Sequence, residues 1–313
     1  MVPRELKIGT RGSPLALFQA NWVKERLEAR HPGLKVSLIR IKTTGDKIQN
    51  APLSRIGGKG LFVKEIEEAL LAKEIDLAVH SIKDVPTELP DGLHLAAITL
   101  REDPRDAFVS REGVRLKDLP PGAKIGTSSL RRQAQLLHFR PDLKLIPLRG
   151  NLDTRLKKLA KGDLDGIVLA SAGLRRLGLL ERATEILSTE ISLPAIGQGA
   201  LGIETRKGDE GVEEKIRFLN DRDSSLAVLA ERSFLRRLEG GCQVPIAAFA
   251  QVVGSFLQMD GLVGTIDGKR LLRHHLEGRP EEAERVGFEL AEILLGRGAK
   301  EILDQVYGRS LTP

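Results

Sequence analysis

The chain has 313 residues, of which 41% are hydrophobic, 29% charged and 4% aromatic, and its formal net charge is +6. This composition excludes a disordered chain, and the length favours two or three domains over one core. The single cysteine excludes a disulfide framework. There is no secretory signal and no apolar run of about 18 residues, so we expect a cytoplasmic protein. The positive charge favours an acidic ligand, and the few aromatics argue against nucleic acid.

The first two thirds of the sequence alternate short β-rich runs with helical stretches, which is the pattern of α/β domains. The first predicted strand is Leu6-Lys7-Ile8. Ser13-Pro14 then supplies an N-cap and a proline at the first position of a helix. Further strands are predicted at 36–41, 75–79, 93–98, 143–148 and 166–169.

Two of these units are similar in sequence. The run KIGT at 7–10 recurs at 124–127, each time before a helix capped by Ser or Thr, and IDLAV at 75–79 resembles LDGIV at 164–168. The repeat predicts two similar α/β domains that face each other across a cleft. Helix N-termini and strand ends would line that cleft, where anions bind.

From about Asp221 the pattern becomes that of a small α+β domain, with Gly240-Gly241-Cys242 near its start. Strands are expected around turns at Met259-Asp260-Gly261 and Asp267-Gly268-Lys269. The predicted helices are 224–238, 281–295 and 299–306.

Arginines recur at the predicted junctions between a strand and the next helix. Guanidinium groups bind carboxylates bidentately, and nearby hydroxyl and helix N–H groups add neutral donors. A solvated basic surface explains any one of these arginines, but their repeated placement favours a polyanion site for the set. The junction arginines are Arg11, Arg131, Arg132, Arg149, Arg155, Arg175 and Arg176.

Two segments of the first domain and the single cysteine carry further candidate residues. Asp84 follows an apolar strand and either holds a cationic or N–H-bearing group or caps the turn before Pro86. The loop GGKGLF (57–62) lacks the order of a Walker A loop and is either a mobile lid or an ordinary connection. Cys242 is either an inert thiol or a reactive one. The six histidines are scattered, so no metal site is expected.

Long ordered runs of the sequence match the motifs of one enzyme family. The runs are GTRGSPLALFQA (9–20), GGKGLFVKEIE (57–67), DLAVHSIKDVP (76–86), REDPRDAFVS (101–110), GTSSLRRQAQL (126–136), LRGNLDTRLKKL (148–159), LASAGLRRLG (169–178), LPAIGQGALGIE (193–204) and LEGGCQVPIAAFA (238–250). Over essentially its whole length the chain resembles the porphobilinogen deaminase (hydroxymethylbilane synthase) family of tetrapyrrole biosynthesis.

The resemblance implies an α/β fold class: two α/β domains like those of periplasmic binding proteins around a cleft, plus a small α+β C-terminal domain. The implied domains are 1–99 with 199–217, then 100–198, then 218–313. It also implies a monomer.

The resemblance implies a transferase. In this family a dipyrromethane cofactor, one per chain, is joined to the cysteine by a thioether, which here would be Cys242. Four porphobilinogen molecules lose ammonia in turn and join head to tail. Hydrolysis frees the linear hydroxymethylbilane, which passes to the next enzyme of haem biosynthesis.

The resemblance assigns roles to individual positions. Asp84 is the catalytic residue, bonding pyrrole N–H groups, stabilising the azafulvene cation left by ammonia loss and helping to move protons during coupling. Lys59 and Phe62 belong to the mobile lid. Cofactor-binding positions are Lys83, Asp84, Thr127, Ser128, Ser129, Arg131, Arg132, Arg155 and Gly173. Substrate-binding positions are Arg11, Ser13, Gln19, Arg149 and Arg176.

Two other classes of protein compete with this interpretation. A non-catalytic binding protein would capture an acidic ligand with a bare Cys242 and no need for Asp84. A nucleic-acid-binding protein would use the arginines as a phosphate track, and its binding would depend steeply on salt.

Overall fold

The structure is a computed structural model that describes residues 5–47, 60, 62–239 and 244–308. Its strands are β1 (Glu5–Thr10), β2 (Lys35–Arg40), β3 (Leu77–Ser81), β4 (Leu93–Ile98), β5 (Asp106–Ser110), β6 (Lys124–Gly126), β7 (Lys144–Ile146), β8 (Gly166–Ala170), β9 (Glu185–Ile186), β10 (Leu201–Arg206), β11 (Ile246–Val253), β12 (Phe256–Gly264) and β13 (Leu271–Gly278). Its α-helices are α1 (Pro14–Arg30), α2 (Thr44–Lys47), α3 (Lys64–Leu71), α4 (Leu130–Phe139), α5 (Leu152–Ala160), α6 (Ser171–Arg176), α7 (Glu210–Ile216), α8 (Arg222–Arg237), α9 (Ala283–Leu294) and α10 (Lys300–Tyr307).

The chain divides into two compact units. One comprises Met1–Glu102 and Ala200–Ser225, and the other comprises Asp103–Gly199 and Leu226–Pro313. The second unit contains two separate sheets, of five and three strands. The three-domain division at the boundaries given above stays a prediction.

The first unit is built on a five-stranded sheet in the order β2-β1-β3-β10-β4. β1 is parallel to β2 and β3, whereas β10 is antiparallel to β3 and β4. The apolar stripe of α1, with Val23 and Leu27 fully buried, packs in one core with Ile8 of β1. Ser13 caps α1 and a proline occupies its first turn, as predicted.

The larger sheet of the second unit repeats this arrangement in the order β7-β6-β8-β5-β9. β6 is parallel to β7 and β8, and β5 runs antiparallel to β8 and β9. The residues of the sequence repeat pair in the same register in both sheets: Ile8 with Leu77 and Gly9 with Ala78, then Ile125 with Gly166 and Gly126 with Ile167. The predicted structural repeat is therefore confirmed.

The glycine of each KIGT run is needed for close packing. A Cβ on Gly9 would lie 2.3 Å from Ile75 Cδ1, and one on Gly126 would lie 2.8 Å from Leu164 Cδ1. Ile75 and Leu164 occupy the same position of the second repeated run. The repeat therefore preserves a packing contact between the first strand of each pair and the residue two positions before the second strand.

The third sheet is an antiparallel meander, β11-β12-β13, with α8 and α9 contributing to its core. The turn at 267–269 is confirmed, since Gly268 has a φ of +71° between β12 and β13. The turn predicted at 259–261 is wrong, because these residues lie inside β12. Gly261 serves packing instead: a Cβ there would lie 2.8 Å from the ring of Phe234 and 2.9 Å from Leu290.

The predicted α/β fold class is confirmed. Two five-stranded sheets with parallel and antiparallel strands, each with helices, are followed by a small α+β part at the C-terminus.

Candidate active site

The first unit contains a pocket at the carboxyl ends of β1 and β3. Because parallel strands end at the same edge of a sheet, the residues that follow them meet there. The pocket brings together Arg11, Ser13, Gln19, Phe62 and Asp84, all predicted from the sequence. We call it the Asp84 pocket.

Helix α1 forms one wall of the Asp84 pocket. The Ser13 hydroxyl caps this helix by accepting a hydrogen bond from the Ala16 amide at 3.3 Å. Gln19 is buried, and its Nε2 donates to Ser81 Oγ at the end of β3, at 3.0 Å. Both side chains are therefore held by the fold beside the pocket.

Arg11 is paired with a carboxylate that the sequence had not pointed to. Its guanidinium forms an ion pair with Asp46 and lies over the ring of Phe62, 4.4 Å from the ring centre. Burial raises the pKa of Asp46, but hydrogen bonds from Arg11 and Thr43 outweigh burial, so the pKa is below its usual range. A ligand carboxylate at Arg11 would compete with an ionised Asp46.

Asp84 ends the short 3₁₀ turn Ile82–Asp84 that follows β3, with Lys83 in the same turn. It is half-buried and lines the pocket. Among the residues that the structure describes, its carboxylate has no hydrogen-bond or ion-pair partner. The alternative that Asp84 caps the turn before Pro86 has no support, because the turn is closed by the Val85 amide on the Ile82 carbonyl, at 3.0 Å.

In the second unit the hydroxyl groups of the β6–α4 junction bind the backbone. Thr127 Oγ1 accepts from the Ser129 amide at 3.2 Å, and Ser129 Oγ caps α4 by accepting from the Arg132 amide at 3.4 Å. Ser128 Oγ donates to the Leu148 carbonyl at 3.1 Å and accepts from the Leu148 amide at 3.0 Å. These bonds fix the junction from which α4 begins.

Arg131 and Arg132 are buried around Asp106, a fully buried residue at the start of β5. Arg132 donates to both carboxylate oxygens, at 3.1 and 2.7 Å, and Arg131 donates to Oδ2 at 2.9 Å. Ser192 and Gln198 add further donors, at 2.8 and 2.9 Å. We call these five residues the Asp106 cluster.

The Asp106 cluster carries an excess positive charge in a buried place. Burial raises the pKa of Asp106, but the charges of Arg131 and Arg132 outweigh it, so the pKa lies far below its usual range. One carboxylate faces two guanidinium groups, and each guanidinium has five N–H donors. A buried net charge is costly unless it is compensated, so the cluster suits an anionic ligand.

The remaining predicted positions of the second unit differ in how they are bonded. Arg155 Nε donates to the Gly150 carbonyl at 2.8 Å, and Arg176 Nη2 donates to the Gly199 carbonyl at 2.6 Å. Gly173 is buried within α6. The half-buried guanidinium of Arg149, in contrast, makes no hydrogen bond or ion pair with any part of the chain that the structure describes.

Cys242, Lys59 and most of the loop 57–62 lie outside the described residues. Within residues 5–47, 60, 62–239 and 244–308, no three His, Cys, Asp or Glu side chains are grouped so as to bind a metal. In the same ranges, every helix is too short or too polar to cross a membrane.

Sequence reasoning missed Asp46, Asp106 and the buried pair of His80 and Glu204. One signal was available for Asp106, since an acidic residue opens the apolar run DAFVS. A buried acid of this kind requires a buried cation. Its partners are 25 and 26 residues away, too far for local patterns to identify.

Each unit by itself offers polar groups that suit an acidic ligand. Arginine and hydroxyl donors suit carboxylates, and an unpaired carboxylate suits pyrrole N–H groups or a cation. The dipyrromethane that the resemblance implies carries both kinds of group and fits this set. Fold and side chains thus define an α/β protein with one unit that offers an unpaired carboxylate and another that offers arginines, groups suited to a ligand with N–H groups and carboxylates.

Comparison with known proteins identifies the family. The model for "Porphobilinogen deaminase, dipyromethane cofactor binding domain" matches residues 6–214, and that for "Porphobilinogen deaminase, C-terminal domain" matches 225–296. The porphobilinogen deaminase of Pelobacter propionicus is 58% identical, covering 99% of this chain and 100% of its own length. That of Geobacter sulfurreducens is 57% identical, with coverages of 100% and 98%. The chain belongs to the porphobilinogen deaminase family.

Solved structures of periplasmic proteins show a more distant likeness. The BvgS periplasmic VFT2 domain of Bordetella pertussis is 16% identical with a TM-score of 0.41, covering 68% of this chain and 85% of that one. The aliphatic sulphonate binding protein SsuA of Escherichia coli is 19% identical with a TM-score of 0.40, with coverages of 76% and 71%.

Proposed function

We propose that the chain carries out the family's reaction with Asp84 as its catalytic residue. It is a transferase of tetrapyrrole biosynthesis that joins four porphobilinogen molecules head to tail on a bound dipyrromethane and releases hydroxymethylbilane by hydrolysis. The observation that carries the assignment of Asp84 is its unpaired, half-buried carboxylate in the pocket of the first unit.

The chemistry of each addition explains the need for a carboxylate. The C–N bond of porphobilinogen breaks and ammonia leaves, so positive charge develops on the pyrrole. Asp84 accepts hydrogen bonds from the pyrrole N–H and stabilises that charge. A bound dipyrromethane would supply the free α-carbon for the new C–C bond, and that carbon would give up its proton.

The remaining predicted residues are assigned to bind the carboxylates of the pyrroles. We assign the acetate and propionate groups of the cofactor to Lys83, the 127–129 hydroxyls, Arg131, Arg132, Arg155 and the backbone at Gly173, and those of incoming substrate to Arg11, Ser13, Gln19, Arg149 and Arg176. The excess charge of the Asp106 cluster and the unpaired Arg149 support this assignment.

The attachment point, the lid and the cellular context complete the proposal. Cys242 holds the cofactor through a thioether, and Lys59 with Phe62 belongs to a lid over the Asp84 pocket. Phe62, the described member of that pair, lines the pocket beside Arg11. The chain acts as a cytoplasmic monomer and passes its product to the next enzyme of the pathway.

Intact-mass measurement tests the cofactor assignment. The purified chain is expected to exceed its sequence mass by one dipyrromethane, and Cys242→Ser is expected to have the bare sequence mass. A wild-type chain at its sequence mass, unchanged after incubation with porphobilinogen, contradicts the proposal and favours a binding protein without turnover.

Arg149→Ala tests the carboxylate-binding role of the second unit. The loss of a charge-assisted hydrogen bond worth about 1.5–3 kcal/mol is expected to slow elongation roughly 10- to 100-fold. Partly extended chains should then accumulate on the enzyme, visible by intact mass. Arg182, an exposed arginine of the same unit, is the control, and Arg182→Ala should elongate normally. Equal elongation rates in the two variants would remove Arg149 from the binding site.

A further inference from the structure

A buried acid–base group of the first unit takes no part in the steps assigned to Asp84. His80 of β3 and Glu204 of β10 are paired, with Nε2 and Oε2 2.9 Å apart and side-chain exposures of 4% and 0%. His80 lies opposite Gly202 in the antiparallel ladder, so Glu204, two residues further along β10, points to the same face of the sheet. Glu67 of α3 is buried as well. We call His80, Glu204 and Glu67 the His80 triad.

The triad is not a fully satisfied structural network. Glu204 Oε1 and Glu67 Oε1 are buried and find no hydrogen-bond donor among the described residues. Buried polar atoms are normally bonded, and an ionised carboxylate without donors is costly to bury. Burial, helped by the charge of Glu204, raises the pKa of Glu67 to about 7 although His80 opposes the shift. Glu67 therefore gains and loses its proton near neutral pH.

His80 also lines the Asp84 pocket, which connects the triad to the reacting groups. Its Nε2 faces the carboxylate of Glu204, which in the neutral imidazole places the proton on Nε2 and leaves Nδ1 basic. This is the arrangement in which a carboxylate orients a histidine for proton transfer. Asp84 alone would have to stabilise a cation and take up a proton in the same cycle.

We propose that His80, oriented by Glu204 and tuned by Glu67, accepts the proton released when two pyrroles are joined in the Asp84 pocket. The C–H bond of the attacked ring carbon breaks, its electron pair restores the aromatic ring, and the proton goes to His80. From there it leaves with the ammonia of the same addition, as ammonium. The inference rests on the proposed function and gives Asp84 and His80 separate tasks.

The charges around His80 determine the direction of the expected effects. They are Glu204 on β10, Glu67 and Glu68 on α3, Lys83 and Asp84 in the turn after β3, and Arg11, which is paired with Asp46, after β1. Glu67, whose pKa is raised to about 7, changes its charge beside His80 across neutral pH. Glu67→Gln removes that change of charge.

The test is the pH dependence of kcat/KM of the holoenzyme together with the kcat of His80→Gln. In the wild type a step in kcat/KM is expected near pH 7, where Glu67 changes its charge, and Glu67→Gln is expected to lose that step. His80→Gln should retain the cofactor mass and lower kcat about 100-fold.

A second His–Glu pair of the same unit gives a matched control. His94 and Glu213 are also 2.9 Å apart but are partly exposed and do not line the pocket. Glu213→Gln should keep the wild-type kcat/KM profile. A step near pH 7 that persists in Glu67→Gln, or a normal kcat in His80→Gln, overturns the inference. A wild-type chain of bare mass overturns the proposed function instead.

Discussion

Asp84→Asn is expected to retain the dipyrromethane and to lower kcat by about 10²–10⁴-fold. The substitution keeps the size of the side chain and removes its charge. A neutral amide cannot balance the positive charge of the cation. Its NH₂ group is also a hydrogen-bond donor, as the pyrrole N–H is, so the two cannot bond to each other. Because Asp84 has no partner among the described residues, no structural bond is broken there, and folding and cofactor attachment should survive. Intact mass reports the cofactor, and steady-state assays report kcat.

The chain contains a close control for this substitution. The segment Leu116–Asp118 is a 3₁₀ turn of sequence LKD, as Ile82–Asp84 is one of sequence IKD. Asp118 is exposed, and Asp118→Asn should leave kcat unchanged. If Asp84→Asn turns over at a near-normal rate with its cofactor in place, Asp84 is not the catalytic residue.

Local sequence patterns predicted the fold well where the residues that cause a structure lie within the pattern itself. Ser13-Pro14 determines the start of α1 through the cap alone. The KIGT and IDLAV runs determine two equivalent strand pairs because glycine and its large apolar neighbour occur in both copies. The turn predicted at 259–261 is wrong because a glycine can serve either a turn or close packing. Gly261 makes room for Phe234 of a helix far away in the sequence, and only the folded chain reveals that contact.

The sequence predicted which types of residue form the candidate site, but it did not predict which residue each of them pairs with. Arginines at strand ends indicated an anion site, yet sequence alone could not separate the buried Arg131 and Arg132 from Arg149. That difference depends on Asp106 of β5, which pairs with Arg131 and Arg132 of α4, whereas Arg149 has no partner in the described chain. In the same way, Asp46 forms an ion pair with Arg11. Such pairings are long-range and follow from topology.

Asp106→Asn is expected to be the most destabilising single change in the second unit. It leaves Arg131 and Arg132 buried without their carboxylate, and removing one partner of a buried ion pair costs about 3–5 kcal/mol. The loss should appear in denaturant unfolding of the holoenzyme. Because the pKa of Asp106 is lowered in the folded chain, its contribution is present above the unfolded pKa of about 3.9 and declines as pH falls below it. The stability difference between wild type and variant should therefore shrink in acid.

The control is Asp142, which accepts two hydrogen bonds from Arg140 at 2.7 Å with similar bidentate geometry but at the surface. Water solvates the Arg140 guanidinium when the carboxylate of Asp142 is lost. Asp142→Asn should therefore unfold at nearly the wild-type denaturant concentration. Equal effects of the two substitutions would mean that the Asp106 cluster is hydrated and its excess charge is not buried. A large loss confined to Asp106 would show instead that the fold itself maintains a buried positive charge. An anionic ligand at the cluster would then stabilise the second unit as well as being bound by it.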